Sequence, residues 1–137
     1  YLIEAPKLLK TLIFNYIFSN GDAHFKNFSL IETSMGDFKL SPAYDLLNSR
    51  IYIDDKDFAL EDGLFPKNLA QGKVLSQFKI LSEKAGINKQ VYDDLLNTML
   101  NETDLVENLT FSSFLDEKTQ KNYFQFYQTR LKKLRKE

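Results

Sequence analysis

The chain of 137 residues is 43% hydrophobic and 14% aromatic, so it carries enough apolar material for one folded domain and is not a disordered segment. Its 18 Lys and Arg residues nearly balance its 19 Asp and Glu residues, and the net charge of −1 provides no overall basic field for nucleic acid. The lack of cysteine excludes a disulfide scaffold and a thiolate zinc site, and no apolar run approaches the ~20 residues of a membrane span. We therefore expect a single cytoplasmic domain over residues 1–137, with no direct contact with nucleic acid or membrane.

Residues 1–19 have the apolar spacing of a core helix. Pro6 suits a first helical turn, where its missing N–H would have no helical partner. The apolar stripe recurs at helical spacing through Leu8, Leu9, Leu12, Ile13, Tyr16 and Ile17. This helix would deliver Asn20 and Gly21 at its C-terminal end, where we expect Gly21 to take the left-handed backbone conformation.

The loop of residues 20–27 reads Asn-Gly-Asp-Ala-His-Phe-Lys-Asn and follows that helix directly. It places a carboxylate at Asp22 and an amide five residues later at Asn27. Taken alone, Asp22 fits a turn or capping residue, because Asp is common in such loops. We expect Asn20 to hydrogen-bond the loop backbone. A function for Asp22 and Asn27 therefore depends on the segment that follows them.

Residues 28–41 predict a β-hairpin. Two apolar-rich runs, 28–32 and 37–41, flank a turn that contains Gly36. At about 3.3 Å per residue each strand covers roughly 17 Å, out and back, so the two open ends of the hairpin are neighbours. Asn27 stands before the first strand, and Asp45 follows the second. The hairpin therefore brings Asn27 and Asp45 together, although Asp45 also fits a plain helix N-cap.

The remaining chain predicts a linking loop and a set of helices. The acidic run 54–57 fits an exposed turn better than a second metal site, and turn-forming residues place 58–71 in a linking loop. Helices are predicted over residues 72–86, 89–100 and 117–136, with a shorter one near 104–107 that Asp104 can cap. The last helix ends in Lys and Arg side chains, which suit its dipole and indicate a solvated basic end rather than a nucleic-acid patch.

Asp22, Asn27 and Asp45 together form the set of side chains that phosphoryl transfer uses. In that chemistry one Asp accepts the proton of the substrate hydroxyl, while an Asn five residues later and a later Asp hold magnesium against nucleotide phosphates. Magnesium is a hard cation that takes oxygen ligands from one or two protein groups and completes its shell with phosphate and water. The sequence therefore predicts Asp22 as the catalytic base, with Asn27 and Asp45 as metal ligands.

The motifs resemble those of the HipA-type serine/threonine kinases, the toxin halves of bacterial toxin–antitoxin pairs. The resemblance is carried by residues 20–29, Asn-Gly-Asp-Ala-His-Phe-Lys-Asn-Phe-Ser, and residues 40–47, Leu-Ser-Pro-Ala-Tyr-Asp-Leu-Leu. It implies a mainly α fold, the helical C-terminal lobe of a protein-kinase-like fold with a small β-hairpin carrying the catalytic and metal loop. It also implies ATP and Mg²⁺ as cofactors, with His24 and Lys26 near the nucleotide. His24 equally fits a loop organiser, and Lys26 a solvated side chain.

The resemblance further implies partners and a second lobe. Members of that family phosphorylate translation proteins such as aminoacyl-tRNA synthetases, and a helix-turn-helix antitoxin restrains them. No glycine-rich loop and no strand with a nucleotide-clamping lysine precede Asp22 in the 137 residues. We therefore expect this chain to be the C-terminal lobe only, and to be inactive and poor at binding ATP when alone.

Two other functions remain open from the residues. One is a kinase-derived interaction module without catalysis, which an antitoxin or regulator would bind. The intact set of Asp22, Asn27 and Asp45 argues against it. The other is a small-molecule phosphotransferase of the aminoglycoside or choline kinase type, which uses a similar Asp-x-x-x-x-Asn loop. The His-Phe-Lys-Asn ending of the loop and the later Ser-Pro-Ala-Tyr-Asp favour the HipA-type assignment.

Overall fold

The computed structural model describes residues 3–52, 63–70 and 72–137, apart from the side chain of Lys67. The described elements in chain order are α1 (Glu4–Ile17), a 3₁₀ helix (Phe25–Asn27), β1 (Leu30–Glu32), β2 (Phe38–Leu40), a second 3₁₀ helix (Ser49–Ile51), α2 (Lys67–Ala70), α3 (Val74–Lys84), α4 (Lys89–Asn101), α5 (Thr103–Phe111) and α6 (Glu117–Lys136). The prediction of a mainly helical fold with a small β-hairpin is confirmed. None of the described helices is both long and apolar enough to cross a membrane.

Helix α1 lies at the centre of the described helices, because it contacts α3, α4, α6 and strand β2. Its apolar spacing puts Leu9, Ile13 and Ile17 on one face, and each of these side chains is at most 1% exposed. Burying one such aliphatic side chain contributes about 1.5–3 kcal/mol. The Tyr16 ring meets the Phe78 ring of α3 edge to face, with centroids 6.0 Å apart. Helix α1 is therefore a rigid support for the loop that follows it.

Helix α6 packs against α1 and α5. Asp116 caps its N-terminus, because a carboxylate oxygen accepts the backbone N–H groups of Lys118 and Thr119, both at 3.1 Å. Further along, the Tyr127 ring stacks on Phe18 at the end of α1, with centroids 5.3 Å apart. The last helix of the chain is thereby fixed beside the residues that begin the loop 20–27.

Strands β1 and β2 pair antiparallel, with Leu30 opposite Leu40. Gly36 takes a φ of +79° in the connecting turn, a conformation that glycine reaches without steric cost. Both strands are largely exposed, so the hairpin projects from the helical core instead of filling it. Its base continues past the strands, because Ser41 N–H donates to Ser29 O at 2.8 Å.

Glu4 fastens the hairpin to α1. One carboxylate oxygen accepts the Lys7 Nζ at 2.7 Å, and the other accepts the backbone N–H of Leu40 at 2.7 Å. The hydrogen bond from Lys7, followed by the one from Leu40, holds the pKa of Glu4 below its ordinary value of 4.5. Glu4 therefore holds the open edge of β2 against the first turn of the helix.

Two local predictions are wrong. The left-handed residue after α1 is Ser19, with a φ of +55°, and not Gly21. Tertiary hydrogen bonds to Ser19, described below, hold this conformation against its local preference. The predicted linking loop 58–71 contains the short helix α2, which is too brief to show helical periodicity. The acidic run 54–57 lies outside the described residues.

Candidate functional site

The loop after α1 begins with a change of direction that Ser49 secures. Ser19 carbonyl oxygen accepts the Ser49 backbone N–H at 3.0 Å and the Ser49 hydroxyl at 3.1 Å. The same hydroxyl oxygen accepts the Gly21 N–H at 2.7 Å. Ser49 therefore ties the loop 20–27 to the segment after Asp45. The sequence analysis missed this role, because no local pattern indicates a contact across 30 residues.

Asn20 joins the loop to the segment that holds Asp45. Its side-chain oxygen accepts the Asp22 N–H at 3.2 Å, so Asn20 does bond the loop backbone as predicted. Its side-chain NH₂ group donates to the main-chain carbonyl of Asp45 at 3.0 Å and to Asn15 Oδ1 at 3.2 Å. Asn20 is only 6% exposed, and these bonds are strengthened by their low-dielectric surroundings. The amide thus fixes Asp22 relative to Asp45.

Asn27 and Asp45 lie in direct contact, although 18 residues separate them along the chain. The 3₁₀ helix Phe25–Asn27 positions Asn27, which is 9% exposed. Its side-chain NH₂ group donates to Oδ2 of Asp45. The chain between Asn27 and Asp45 forms an antiparallel hairpin, so the start of its first strand and the end of its second strand are neighbours.

Asp45 has a left-handed backbone conformation. Its φ of +55° lies in a region that costs most non-glycine residues roughly 1–2 kcal/mol, although Asp and Asn enter it more readily. Asn20 holds its carbonyl and Asn27 holds its carboxylate, so the surroundings enforce the conformation. Residues of this kind concentrate at functional sites. Asp45 does not cap a helix; Asn48 caps the second 3₁₀ helix by accepting the Arg50 N–H at 3.0 Å.

The side-chain oxygen of Asn27 suits a hard cation. Asn27 Oδ1 is buried and accepts no hydrogen bond within the described residues. Leaving such an acceptor unpaired costs about 1–3 kcal/mol, which a ligand at this position would recover. The described ranges contain no group of three or more His, Cys, Asp or Glu side chains able to hold a metal. Magnesium bound by Asn27 and Asp45 would therefore take its other oxygens from phosphate and water.

Asp22, His24 and Lys26 lie on the open side of the loop. The Asp22 carboxylate is 48% exposed, and its Oδ1 lies 3.4 Å from Nε2 of His24. His24 also organises the backbone, since its N–H donates to Asp22 O at 2.8 Å and its carbonyl accepts the Asn27 N–H at 2.9 Å. The Lys26 side chain is exposed and forms no hydrogen bond or ion pair with the described residues. The structure thus pairs Asp22 with His24 and Asn27 with Asp45, and leaves Lys26 apart.

Tyr44 is a further residue of the site that the sequence analysis missed. Its hydroxyl donates to the Lys26 carbonyl at 3.0 Å and lies 2.8 Å from the Ser29 hydroxyl. Tyr44 therefore bridges the residue before Asp45 to the end of the loop 20–27. Its position beside Asp45 in the sequence is the one signal that could have indicated it.

Helix α6 supports both segments that build the site. Arg130 is 4% exposed, its Nε donates to Ser19 Oγ at 3.4 Å, and its guanidinium lies 4.8 Å from the Tyr16 ring centroid. Arg50, in the second 3₁₀ helix, places its guanidinium 4.7 Å from the Phe126 ring centroid. Both contacts have cation–π geometry. Helix α6 thus contacts both the residue that precedes the loop 20–27 and the segment after Asp45.

Fold and site together define a mainly helical domain in which a loop and a hairpin bring an amide and a carboxylate into contact. Residues 3–106 match the family model of the HipA-like C-terminal domain, and the chain belongs to that family. This confirms the resemblance found in residues 20–29 and 40–47.

Two relatives, both from Sinorhizobium fredii, carry kinase names. The chain is 41% identical over 56 residues to "Putative kinase Y4dM" and 48% identical over 51 residues to "Putative kinase Y4mE". The matches cover 41% and 37% of this chain but only 14% and 12% of the relatives. The similarity therefore links the chain to kinase-like proteins through a small part of their length.

Proposed function

We propose that this chain is the catalytic C-terminal lobe of an ATP-dependent serine/threonine protein kinase. The observation that carries the proposal is the hydrogen bond from Asn27 Nδ2 to Asp45 Oδ2, which sets the two expected metal ligands side by side. Family membership and the kinase names of the two relatives support it. The reaction would transfer the γ-phosphoryl group of ATP to a serine or threonine hydroxyl of a protein, leaving ADP.

Asp22 acts as the base in this proposal. Its half-exposed carboxylate is open to an incoming hydroxyl. As the hydroxyl oxygen bonds to the γ-phosphorus and the bond from that phosphorus to ADP breaks, Asp22 takes the hydroxyl proton. His24 Nε2 beside Asp22 Oδ1 orients the carboxylate, and Asn20 holds the Asp22 backbone. Most of the rate enhancement then comes from positioning the two reactants.

Asn27 and Asp45 would bind the magnesium ion that accompanies ATP. They supply an amide oxygen and a carboxylate for magnesium, which when bound neutralises charge on the phosphate oxygens. Lys26 and His24 lie at the open side of the same loop and would face the nucleotide, Lys26 as a point charge. The left-handed backbone of Asp45 keeps its carboxylate beside Asn27 before any ligand arrives.

The test compares Asp22→Asn and Asp45→Asn in the full natural chain that contains residues 1–137. Transfer of labelled phosphate from ATP to protein should fall by about 10²–10⁴-fold in Asp22→Asn, because the base is lost. Calorimetry should show that Asp22→Asn still binds Mg-ATP whereas Asp45→Asn does not. Asp104→Asn is the matched control, since Asp104 is an exposed carboxylate in the first turn of α5.

Three outcomes would overturn the proposal. Transfer at the wild-type rate in either Asp22→Asn or Asp45→Asn removes the assigned roles. Binding of a regulator without any transfer by the wild-type chain would indicate an interaction module. Transfer to aminoglycosides or choline, and not to protein, would indicate a small-molecule phosphotransferase. Separately, tight Mg-ATP binding by residues 1–137 alone would contradict the expectation that a second lobe is needed.

A further inference from the structure

A cleft lined by lysines lies between α1 and β2, beside the site but apart from Asp22. It has a volume of about 380 Å³, and one wall is formed by Lys7, Lys10 and Thr11 of α1. The other wall is formed by Lys39 and residues 40–43, which continue the chain from β2 toward Asp45. The cleft is thus a basic concave surface whose lining lysines have no role in the kinase proposal.

Two of the three lysines have no acidic partner in the described ranges. Lys7 pairs with Glu4 at 2.7 Å, and Glu4 is itself engaged with the Leu40 N–H. Lys10 and Lys39 are exposed and form neither an ion pair nor a hydrogen bond with any described residue. Among the described residues, the cleft therefore presents two lysine side chains without an acidic partner, and Leu40 and Pro42 add apolar side chains to its lining.

The cleft shares its wall with the site. Residues 40–43 and Thr11 also line a small cavity of about 10 Å³, to which Asn27 contributes. The wall then leads within two residues to Asp45. An occupant of the cleft would therefore contact the same wall residues that line the cavity beside Asn27.

We propose that this cleft binds an acidic segment of the protein whose hydroxyl is phosphorylated. The proposal rests on the kinase function proposed above and adds the substrate chemistry that the chain selects. Carboxylates of the segment pair with Lys10 and Lys39, and apolar atoms of the same segment cover Leu40 and Pro42. Charge complementarity of this kind steers association and selects partners more than it adds affinity.

A peptide fits the cleft better than nucleic acid does. Proteins that bind duplex DNA tightly neutralise on the order of 6–10 phosphates, whereas this cleft offers three lysines, one of them already paired. The chain as a whole has a net charge of −1, which disfavours a long polyanion. A short acidic segment needs only the local charge of Lys10 and Lys39.

The test measures binding of fluorescein-labelled hexaglutamate to the 137-residue chain by fluorescence anisotropy. The variant Lys10→Glu/Lys39→Glu should bind the peptide at least tenfold more weakly than wild type. Lys79→Glu/Lys118→Glu is the matched control, because both lysines are exposed and the change in net charge is the same. If the first variant fails to fold, Lys10→Gln/Lys39→Gln should still show a severalfold loss. Equal binding by wild type, cleft variants and control would overturn the proposal.

Competition separates a peptide site from a general anion site. Unlabelled hexaglutamate should displace the probe, whereas a twelve-residue thymidine oligonucleotide and inorganic polyphosphate of equal charge should compete poorly. Displacement by either at equal or lower concentration would overturn the proposal in favour of nucleic acid or free polyphosphate.

Kinetics in the full natural chain distinguish failure of this inference from failure of the kinase proposal. An acceptor peptide with an acidic flank should show a higher KM with Lys10→Glu/Lys39→Glu and an unchanged kcat, while a neutral-flanked peptide should be unaffected. If both peptides are phosphorylated and Lys10→Glu/Lys39→Glu changes the KM of neither, this inference is overturned and the kinase proposal stands. Lysine-dependent hexaglutamate binding without phosphorylation by any variant upholds the acidic-peptide site and overturns the kinase proposal.

Discussion

The side-chain NH₂ group of Asn20 donates to the main-chain carbonyl of Asp45 at 3.0 Å, across 25 residues of chain. The side-chain oxygen of Asn20, Oδ1, accepts the backbone N–H of Asp22 at 3.2 Å. One buried side chain therefore sets the distance between the expected base and an expected metal ligand. The contribution of the Asn20 side chain to stability can therefore be measured without changing Asp22 or Asp45.

Asn20→Asp keeps the acceptor for Asp22 but removes both donor bonds. The Asp45 carbonyl and Asn15 Oδ1 lose a buried donor, and we expect the free energy of unfolding to fall by about 1–3 kcal/mol. Urea denaturation measures the change. Asn97→Asp on the exposed face of α4 is the matched control and should change stability by less than ~0.5 kcal/mol. A loss in Asn20→Asp no larger than in Asn97→Asp would show that the bridge contributes little.

Asn27→Asp places a second carboxylate against Asp45 in place of a donor. Without metal, like charges in contact should lower the melting temperature. Added Mg²⁺ should raise the melting temperature more in this variant than in the wild-type chain, because a ligand that binds only the folded state stabilises it by mass action. Asn27→Leu, of similar size but without ligand atoms, should show no response to Mg²⁺. A response of Asn27→Leu as large as that of Asn27→Asp would exclude residue 27 as a ligand.

The left-handed backbone of Asp45 predicts an unusual order of stability among its variants. Asn tolerates this conformation, so Asp45→Asn should retain a folded chain even though it loses function. Asp45→Val should be less stable than Asp45→Asn by about 1–2 kcal/mol, because a β-branched side chain clashes there. Chemical denaturation of the two variants gives the comparison. Equal stability would mean that residue 45 is not held at a positive φ.

The attachment of the hairpin through Glu4 should depend on pH. The bonds from Lys7 and Leu40 lower the pKa of Glu4 in the folded chain, so its ionised form contributes stability above its ordinary pKa. That contribution should disappear as the pH falls through the lowered folded-state value. Wild type should therefore be more stable than Glu4→Gln near about pH 7, and the two should converge as the pH falls through the lowered pKa of folded Glu4. Urea midpoints across this range measure the difference, and a gap that persists in acid would contradict the role of the carboxylate.

The long helices could be predicted because each carries a continuous apolar stripe. The predicted range 117–136 coincides with α6, and the predicted 89–100 differs from α4 by one residue. The hairpin followed from two apolar runs around Gly36, although its regular strands are shorter than predicted. Helix α2 and the two 3₁₀ helices were not predicted, since three or four residues are too few for a periodic signal.

The site could be predicted only in part. The spacing of Asp22, Asn27 and the hairpin indicated that Asn27 and Asp45 meet, because a hairpin returns to its starting point. The contacts of Ser49 and Tyr44 could not be predicted, because they depend on how distant segments pack, although Tyr44 stands next to Asp45 in the sequence. The left-handed conformation was predicted at Gly21 because glycine adopts it most easily. It occurs at Ser19 instead, where tertiary hydrogen bonds impose it.

Arg130 reaches Ser19 across 111 residues of sequence. Because synthesis runs from the N-terminus, translation delivers the motif residues 20–47 before residues 117–136, which form α6. While residues 117–136 are still inside the ribosome, the nascent chain contains the motif residues but lacks α6, which supports Ser19 and the segment after Asp45. The order of synthesis therefore delays assembly of the site until residues 117–136 have left the ribosome, and earlier nascent chains would carry it incomplete.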